Sequence, residues 1–288
     1  MRAILEFAMR SRLGAVGMVA LGALMPLLFW LSGGLLALIT LRRGLAESGI
    51  VLVGATALIL PVYAVMPGTP LAVLQPLALV WLPVMGMARI LRGTVSLALT
   101  VQLGALVAVA AVLIFYGIYG DSAVFWTRIL EGVSDRLPTE SPGAGWDRAV
   151  EQLAPRLTGL WATNALAVAV LSLLLGRFWQ AMLYNPGGFR SEFHELRFAL
   201  WFAAAAGAAV IAGTMGGPGL LADLGTVLGA VFILQAVAVA HAVVARRGWH
   251  TGWLVGFYLV LPLLLRPAVV LGLADTFMDL RARLAPET

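Results

Sequence analysis

Several polar or charged side chains stand inside, or at the ends of, long apolar runs: Gln75, Gln102, Asn164, Asp223, Gln235, His241, Arg266 and Asp275. A polar group at membrane depth is costly, and by default it marks a pathway or a binding site. Some of these have plainer roles. Asp223 follows the Gly217-Pro218-Gly219 turn and reads as interfacial, near a helix start where a carboxylate is favoured. His241 lies close to Arg246 and reads as near the inner surface. Gln75, Gln102 and Asn164 can join neighbouring helices by hydrogen bonds worth about 0.6–2 kcal/mol each. Arg266, between Leu265 and Pro267, must snorkel to an interface or find a partner. Both an anchor and a buried functional cation fit it. Gln102, Asn164, Gln235 and Arg266 are therefore the candidate ligand-binding residues.

The stretch LYNPGGFRSEFHELR, Leu183 to Arg197, concentrates polar residues in an otherwise apolar chain. It carries no catalytic signature. His194-Glu195-Leu196-Arg197 lacks the second histidine of a metalloprotease helix, and no nucleophile elbow or phosphate loop occurs anywhere. Cysteine is absent and there are three histidines, so thiolate chemistry is excluded and a structural zinc site is not expected. No catalytic residue, metal or cofactor is assigned, and the chain does not read as an enzyme. Asn185-Pro186-Gly187-Gly188 reads as a turn. Ser191 is placed to cap a following helix, with Glu192 in its first turn. Phe189, Phe193 and Leu196 then share one face, and Arg190 and Arg197 can reach lipid phosphates. The alternative is a docking element for another membrane or cytoplasmic protein, using Asn185, Phe189, Arg190, Phe193 and Arg197.

The elements that position these residues are set by composition. Hydrophobic residues make up 61% of the 288 residues and charged residues 11%, which is too apolar for a water-soluble surface. An all-α membrane protein follows. The chain divides into about eight spans (range 7–10), with proline-broken first and last apolar segments. The run Leu13–Leu41 has 29 residues and contains Pro26. As one helix it would measure about 43 Å, more than the roughly 30 Å hydrocarbon core. Two short segments fit better. The last run, Trp253–Leu273, is interrupted by Pro262, Arg266 and Pro267.

All 19 basic residues are arginine, and they cluster at the ends of apolar runs. That placement fits the positive-inside rule of a bacterial inner membrane and not nucleic-acid binding. An uncleaved, cytoplasmic N-terminus puts Arg42-Arg43, Arg89/Arg92, the 177–197 loop and Arg246-Arg247 inside. Residues 121–156, with six acids against four arginines, then form an extracytoplasmic insertion in a single helical domain spanning 1–288. Val124, Phe125, Ile129 and Leu130, then Trp146, Val150 and Leu153, predict two amphipathic helices there, around the Ser141-Pro142-Gly143 turn. The GxxxG pairs, such as Gly225/Gly229, are no more frequent than this glycine content produces by chance. The Ala203–Ala209 run is a smooth face for close packing, more often internal than against a partner.

The C-terminal VLGLADTFMDLRARL resembles the end of the YybS-like family of bacterial membrane proteins, through Gly272, Asp275, Phe277, Asp279 and Arg281. The loop from Arg177 to Arg197 resembles that family's connection rich in Arg, Gly, Pro and Phe. The family is of unknown function and looks remotely similar to S components of energy-coupling-factor transporters, which bind a vitamin or metal and dock on a membrane coupling protein. Many S components carry an Ala-xxx-Ala pair in the first helix. Here Gly14, Ala15, Gly17, Ala20, Gly22 and Ala23 stand in that segment without such a pair. The resemblance implies a membrane subunit that binds a small solute or takes part in its transport. The alternative is a scaffold that docks a partner.

Overall fold

A backbone in lipid must satisfy its own hydrogen bonds, and a helix does so within one segment. The computed structural model, which describes residues 1–25, 28–65, 77–134 and 144–283, is accordingly 89% helical with no strand among those residues. The helices are α1 Arg2–Arg10, α2 Arg12–Leu24, α3 Phe29–Arg43, α4 Leu45–Val65, α5 Leu82–Thr94, α6 Leu97–Tyr119, α7 Ser122–Ser134, α8 Ala144–Leu153, α9 Leu157–Tyr184, α10 Gly188–His194, α11 Leu200–Met215, α12 Leu220–Arg246, α13 Gly252–Val260, α14 Leu265–Met278 and α15 Leu280–Arg283. A π-helical turn, Leu77–Trp81, runs directly into α5.

Among the described residues, five helical stretches are long and apolar enough to cross a membrane: Leu45–Val65, Leu77–Thr94, Leu97–Tyr119, Gly145–Tyr184 and Leu220–Arg246. The pair α13 and α14, bent by 114° at its break, makes a sixth if taken as one span. The sequence predicts about eight. The difference lies in short helices: α2 has 13 residues and α11 has 16, which is about 20 and 24 Å of rise, less than the hydrocarbon core. The first apolar run is indeed divided, into α2 and α3, which pack on each other. Pro26 itself lies outside the described residues, as do Gln75, the Pro67–Pro70 turn and the Ser141–Gly143 turn. In the last run Pro262 sits in the 3-10 turn Leu261–Leu263, and Pro267 in the first turn of α14, where the missing N–H disturbs least.

The contacts form two compact units. The first comprises Met1–Gly104 and Ala165–Leu196. Its core is α3, where Leu36, Ala37 and Leu38 are fully buried. Small residues let α3 meet α9 at backbone distance. A Cβ on Gly176 would lie 2.5 Å from that of Ala37 and 2.6 Å from the Gly34 carbonyl oxygen. Trp81, at the end of the π turn, is fully buried and donates its indole N–H to Ser32 Oγ at 2.8 Å.

The second unit comprises Ala105–Asn164 and Arg197–Thr288. Here α11 and α12 form a close hairpin, with Ala203 and Ala206 buried. One face of the alanine run, at Ala203 and Ala206, is thus used for packing inside this unit, while Ala204, Ala205 and Ala208 stay exposed. Phe202 stacks on Phe232 at 5.9 Å between ring centroids, and Phe198 meets Phe232 edge-on at 5.3 Å and Phe202 tilted at 5.8 Å. Helix α14 crosses α12 at Gly272, where an added Cβ would lie 2.0 Å from the Phe232 carbonyl oxygen. The amphipathic pair α7 and α8 forms as predicted, but Val124 and Ile129 are exposed. Trp126 is the anchor. It stacks with Trp161 and donates its indole N–H to Thr158 Oγ1 at 2.8 Å.

Gly272 faces unyielding backbone, whereas a Cβ added at Gly207 would meet nothing within 4 Å. Gly272→Ala should destabilise the protein by about 1–3 kcal/mol through overpacking. Gly207→Ala should be neutral or stabilise by up to about 1 kcal/mol through helix propensity. Thermal unfolding of the two variants in detergent micelles checks the contrast.

Candidate functional site, a buried polar cluster in the second unit

Gln235 lies midway along α12 and is wholly buried. A buried amide with open hydrogen-bonding positions is costly, so its neighbours are dictated by its chemistry. Its Oε1 accepts the backbone N–H of Phe198 at 3.0 Å, just before α11. Its Nε2 donates to Asp275 Oδ2 at 2.8 Å and to Thr276 Oγ1 at 3.0 Å, both on α14. One side chain therefore ties three segments together. The close crossing at Gly272, one turn before Asp275, brings α14 near enough for this reach.

The chain then turns back on itself. Asp279 closes α14 in the left-handed region with φ of 47°, a conformation that aspartate tolerates better than most side chains. Its N–H donates to the Asp275 carbonyl at 3.2 Å, and its Oδ1 accepts the N–H of Ala282 at 3.3 Å. This reversal sends Arg281 back along α14, where its Nη2 donates to Asp275 Oδ2 at 2.9 Å. Arg246, at the end of α12, donates to the Arg281 carbonyl at 3.0 Å. Arg197, in the connection before α11, hydrogen-bonds Asp279 Oδ1, and its Nη2 stands 3.9 Å from Asp275 Oδ1.

Two guanidinium groups, of Arg197 and Arg281, thus pair with two carboxylates, and a third, of Arg246, holds the Arg281 carbonyl. Asp275 is fully buried and Arg281 nearly so. Burial pulls the Arg281 guanidinium below its ordinary range, and the Asp275 charge partly offsets this; arginine nevertheless keeps its proton. The hydrogen bond from Arg197 holds the Asp279 carboxyl below the usual carboxylate range. Asp275 Oδ1 is buried and makes no hydrogen bond among the described residues. The arrangement offers an acceptor at Oδ1 facing a donor on Arg197, across a gap too long for a direct hydrogen bond.

Of the four ligand-binding candidates, Gln235 alone enters this cluster. Gln102 is buried in α6, in the first unit. Asn164 in α9 and Arg266 in the first turn of α14 are exposed. Gly272, Asp275, Asp279 and Arg281, which carry the resemblance at the C-terminus, all build or support the cluster. Thr276 and Arg246 join it without a signal in the sequence, since neither type nor spacing distinguishes them. Arg197, read as a lipid or partner contact, pairs with Asp279 while its side chain stays 35% exposed.

The 177–197 loop is also folded on its own chain. Phe189 meets Phe178 edge-on at 6.0 Å and stacks on Phe193 at 5.7 Å, and Phe193 is buried. Glu192 pairs with Arg177 at 2.8 Å. Asn185 and Arg190 remain exposed. Helix α10 begins after Gly187 at φ of 89°, so Ser191 lies within the helix and donates to the Gly188 carbonyl at 3.0 Å. It is not the cap that the sequence predicts. Burial pushes the Glu192 carboxyl above its ordinary range, and the Arg177 ion pair offsets this only in part. Among the described residues no group of three or more His, Asp or Glu side chains is placed to hold a metal ion.

No family model, curated protein or solved structure matches this chain.

Arg281→Met would leave the buried Asp275 without its nearest counter-charge and should destabilise the protein by about 3–5 kcal/mol. Adding Asp275→Leu should recover most of that loss, because a well-packed apolar pair costs less than a lone buried charge. Chemical denaturation in mixed micelles measures both.

Glu192 gives a pH signature of defined sign. Its folded-state range lies above the unfolded one, so its contribution is fully present below the unfolded range and is lost as pH rises through the folded one. Wild type should therefore gain stability relative to Glu192→Gln on acidification toward the ordinary glutamate range. Paired melting curves across that interval check the sign.

Proposed function

We propose that this chain is a multi-pass membrane subunit that binds a small polar solute and takes part in its transport, with Gln235, Asp275, Thr276 and Arg281 as its polar centre. The observation that carries the reading is Asp275, a fully buried carboxylate in an apolar bundle whose Oδ1 makes no hydrogen bond among the described residues and faces Arg197 at 3.9 Å. Buried ion pairs are seldom better for stability than packed apolar residues, and ionisable groups between membrane helices are functional by default. A solute group with both a donor and an acceptor, such as an amide or a hydroxyl, would bridge Oδ1 and Arg197. The bent pair α13 and α14 supports the same reading, since broken helices border many transporter sites. So does the resemblance to S components. The arginine distribution supports a bacterial inner membrane with a cytoplasmic N-terminus.

A second reading, a scaffold that docks a partner, is favoured by the exposure of Asn164, Arg266, Asn185 and Arg190. Native mass spectrometry of the protein in lipid nanodiscs, combined with thermal shifts against a panel of small polar metabolites, separates the two. A bound solute, held at least about tenfold more weakly by Gln235→Leu or Asp275→Asn, is the expected result. Absence of any bound or stabilising solute, with a stoichiometric protein partner instead, would transfer the assignment to the scaffold.

A further inference from the structure

A second carboxylate in the same unit has a different environment. Asp223, in the first turn of α12, is 1% exposed. It forms no ion pair among the described residues. The groups facing it are Tyr116 from α6, whose hydroxyl donates to Oδ2 at 2.8 Å, and the backbone N–H of Gly159 from α9. Helix α11, packed along α12, contains no titratable residue. Arg128 in α7 and Arg156, just before α9, do not pair with Asp223. Helix α9 presses against it so closely that a Cβ on Gly159 would lie 2.7 Å from the Asp223 Cα.

The Tyr116 hydroxyl also meets Ser122 Oγ at 2.8 Å. Ser122 is buried at the start of α7. It adjoins Asp121, which is exposed, caps the helix through the N–H of Ala123, and places negative charge beside Tyr116. Asp223, Tyr116 and Ser122 therefore form a continuous chain of oxygen atoms, ending one residue from an exposed carboxylate.

We propose that Asp223 is a proton-binding site, loaded and unloaded through the hydroxyls of Tyr116 and Ser122. Both protonation states are accommodated. The helix start, the Gly159 N–H and the Tyr116 O–H favour the ionised form. Burial without a cation favours the neutral form. In the ionised form the Ser122 O–H donates to Tyr116 Oη, and the Tyr116 O–H donates to Asp223. On loading, an external proton bonds to Ser122 Oγ, the former Ser122 proton passes to Tyr116 Oη, and the former Tyr116 proton passes to Asp223 Oδ2. Three O–H bonds form, two break, and one proton is gained. The ligand is a proton and not a metal cation, because the Gly159 N–H occupies a position where a cation requires an oxygen acceptor. The site stands whether or not the unit binds a solute.

Infrared difference spectroscopy on the protein in lipid nanodiscs, following a pH jump, reads this directly. In wild type a protonated-carboxyl C=O band should grow as pH falls, and that band should be missing from Asp223→Asn. Tyr116→Phe keeps the carboxyl and removes the relay, so the band should shift in frequency and respond about a hundredfold more slowly, the lower range for a positioned proton donor. Identical carboxyl spectra for wild type and Asp223→Asn over the pH range where circular dichroism shows intact helices would overturn the site. Unchanged frequency and rate in Tyr116→Phe would overturn the path. Should Asp223→Asn fail to fold, Tyr116→Phe and Ser122→Ala retain the carboxyl, and unchanged frequency and rate in both overturn the proposal.

Discussion

The ion pair between Asp275 and Arg281 fixes the end of the second unit. In lipid neither charge can be hydrated, so each must remain where the other is. That requirement propagates outward. Arg281 reaches Asp275 only because Asp279 adopts a left-handed conformation and reverses the chain. Asp279 is itself held by Arg197, which precedes α11, and the Arg281 carbonyl by Arg246, which ends α12. Gln235 closes the set by joining Asp275 to the backbone before α11. Four otherwise separate segments are thereby kept in one arrangement by a handful of directional contacts, where dispersion alone would permit sliding.

Close approach of the helices is the precondition. Helices cannot use the hydrophobic effect against each other in lipid, so small residues and backbone contact replace it. Gly272 lets α14 lie on the carbonyl of Phe232, and Gly176 lets α9 lie on α3. A polar side chain is short, and a helix held apart by a methyl group at Gly272 would carry Asp275 away from Gln235. Packing and polar chemistry in the second unit are therefore one constraint: the glycine sets the distance at which the hydrogen bonds close.

What the sequence made legible follows from which property is local. Hydropathy is local, so the helical membrane class, the division of the first apolar run into α2 and α3, and the two amphipathic helices around residues 122–153 could be read directly. Depth is nearly local, so Gln235 and Asp275 could be marked as unusual, whereas Asp279 and Arg281 were marked only by the resemblance at the C-terminus. Facing direction is not local. When nearly every side chain of a helix is apolar, periodicity no longer says which face meets protein. That is why Asn164 and Arg266, at similar apparent depth to Gln235, turn outward, and why the pairing of Phe189, Phe193 and Arg197 within the chain could not be read from their placement as lipid or partner contacts. Ser191 departs from its expected role for a related reason: Gly187 reaches positive φ and starts α10 earlier, leaving the serine inside the helix.

The two carboxylates of the second unit show how environment and not residue type assigns a role. Asp275 stands 2.9 Å from the Arg281 guanidinium and 3.9 Å from that of Arg197, so it is built into an ion-pair network. Among the described residues, Asp223 has a hydroxyl, a backbone amide and a helix start around it and no ion-pair partner. Adding or removing its proton disturbs no ion pair. The same helix carries one of these groups near its start and, through Gln235, grips the other, twelve residues further along, which is about 18 Å of rise. A carboxylate held by two guanidinium groups suits holding structure or a polar solute in place. A group whose charge can change without breaking a partnership suits responding to conditions on one side of the membrane. Helix α12 carries Asp223 itself and holds Asp275 of α14 only through Gln235, so a tilt or shift of α12 that accompanies protonation at Asp223 would act on the Gln235–Asp275 hydrogen bond.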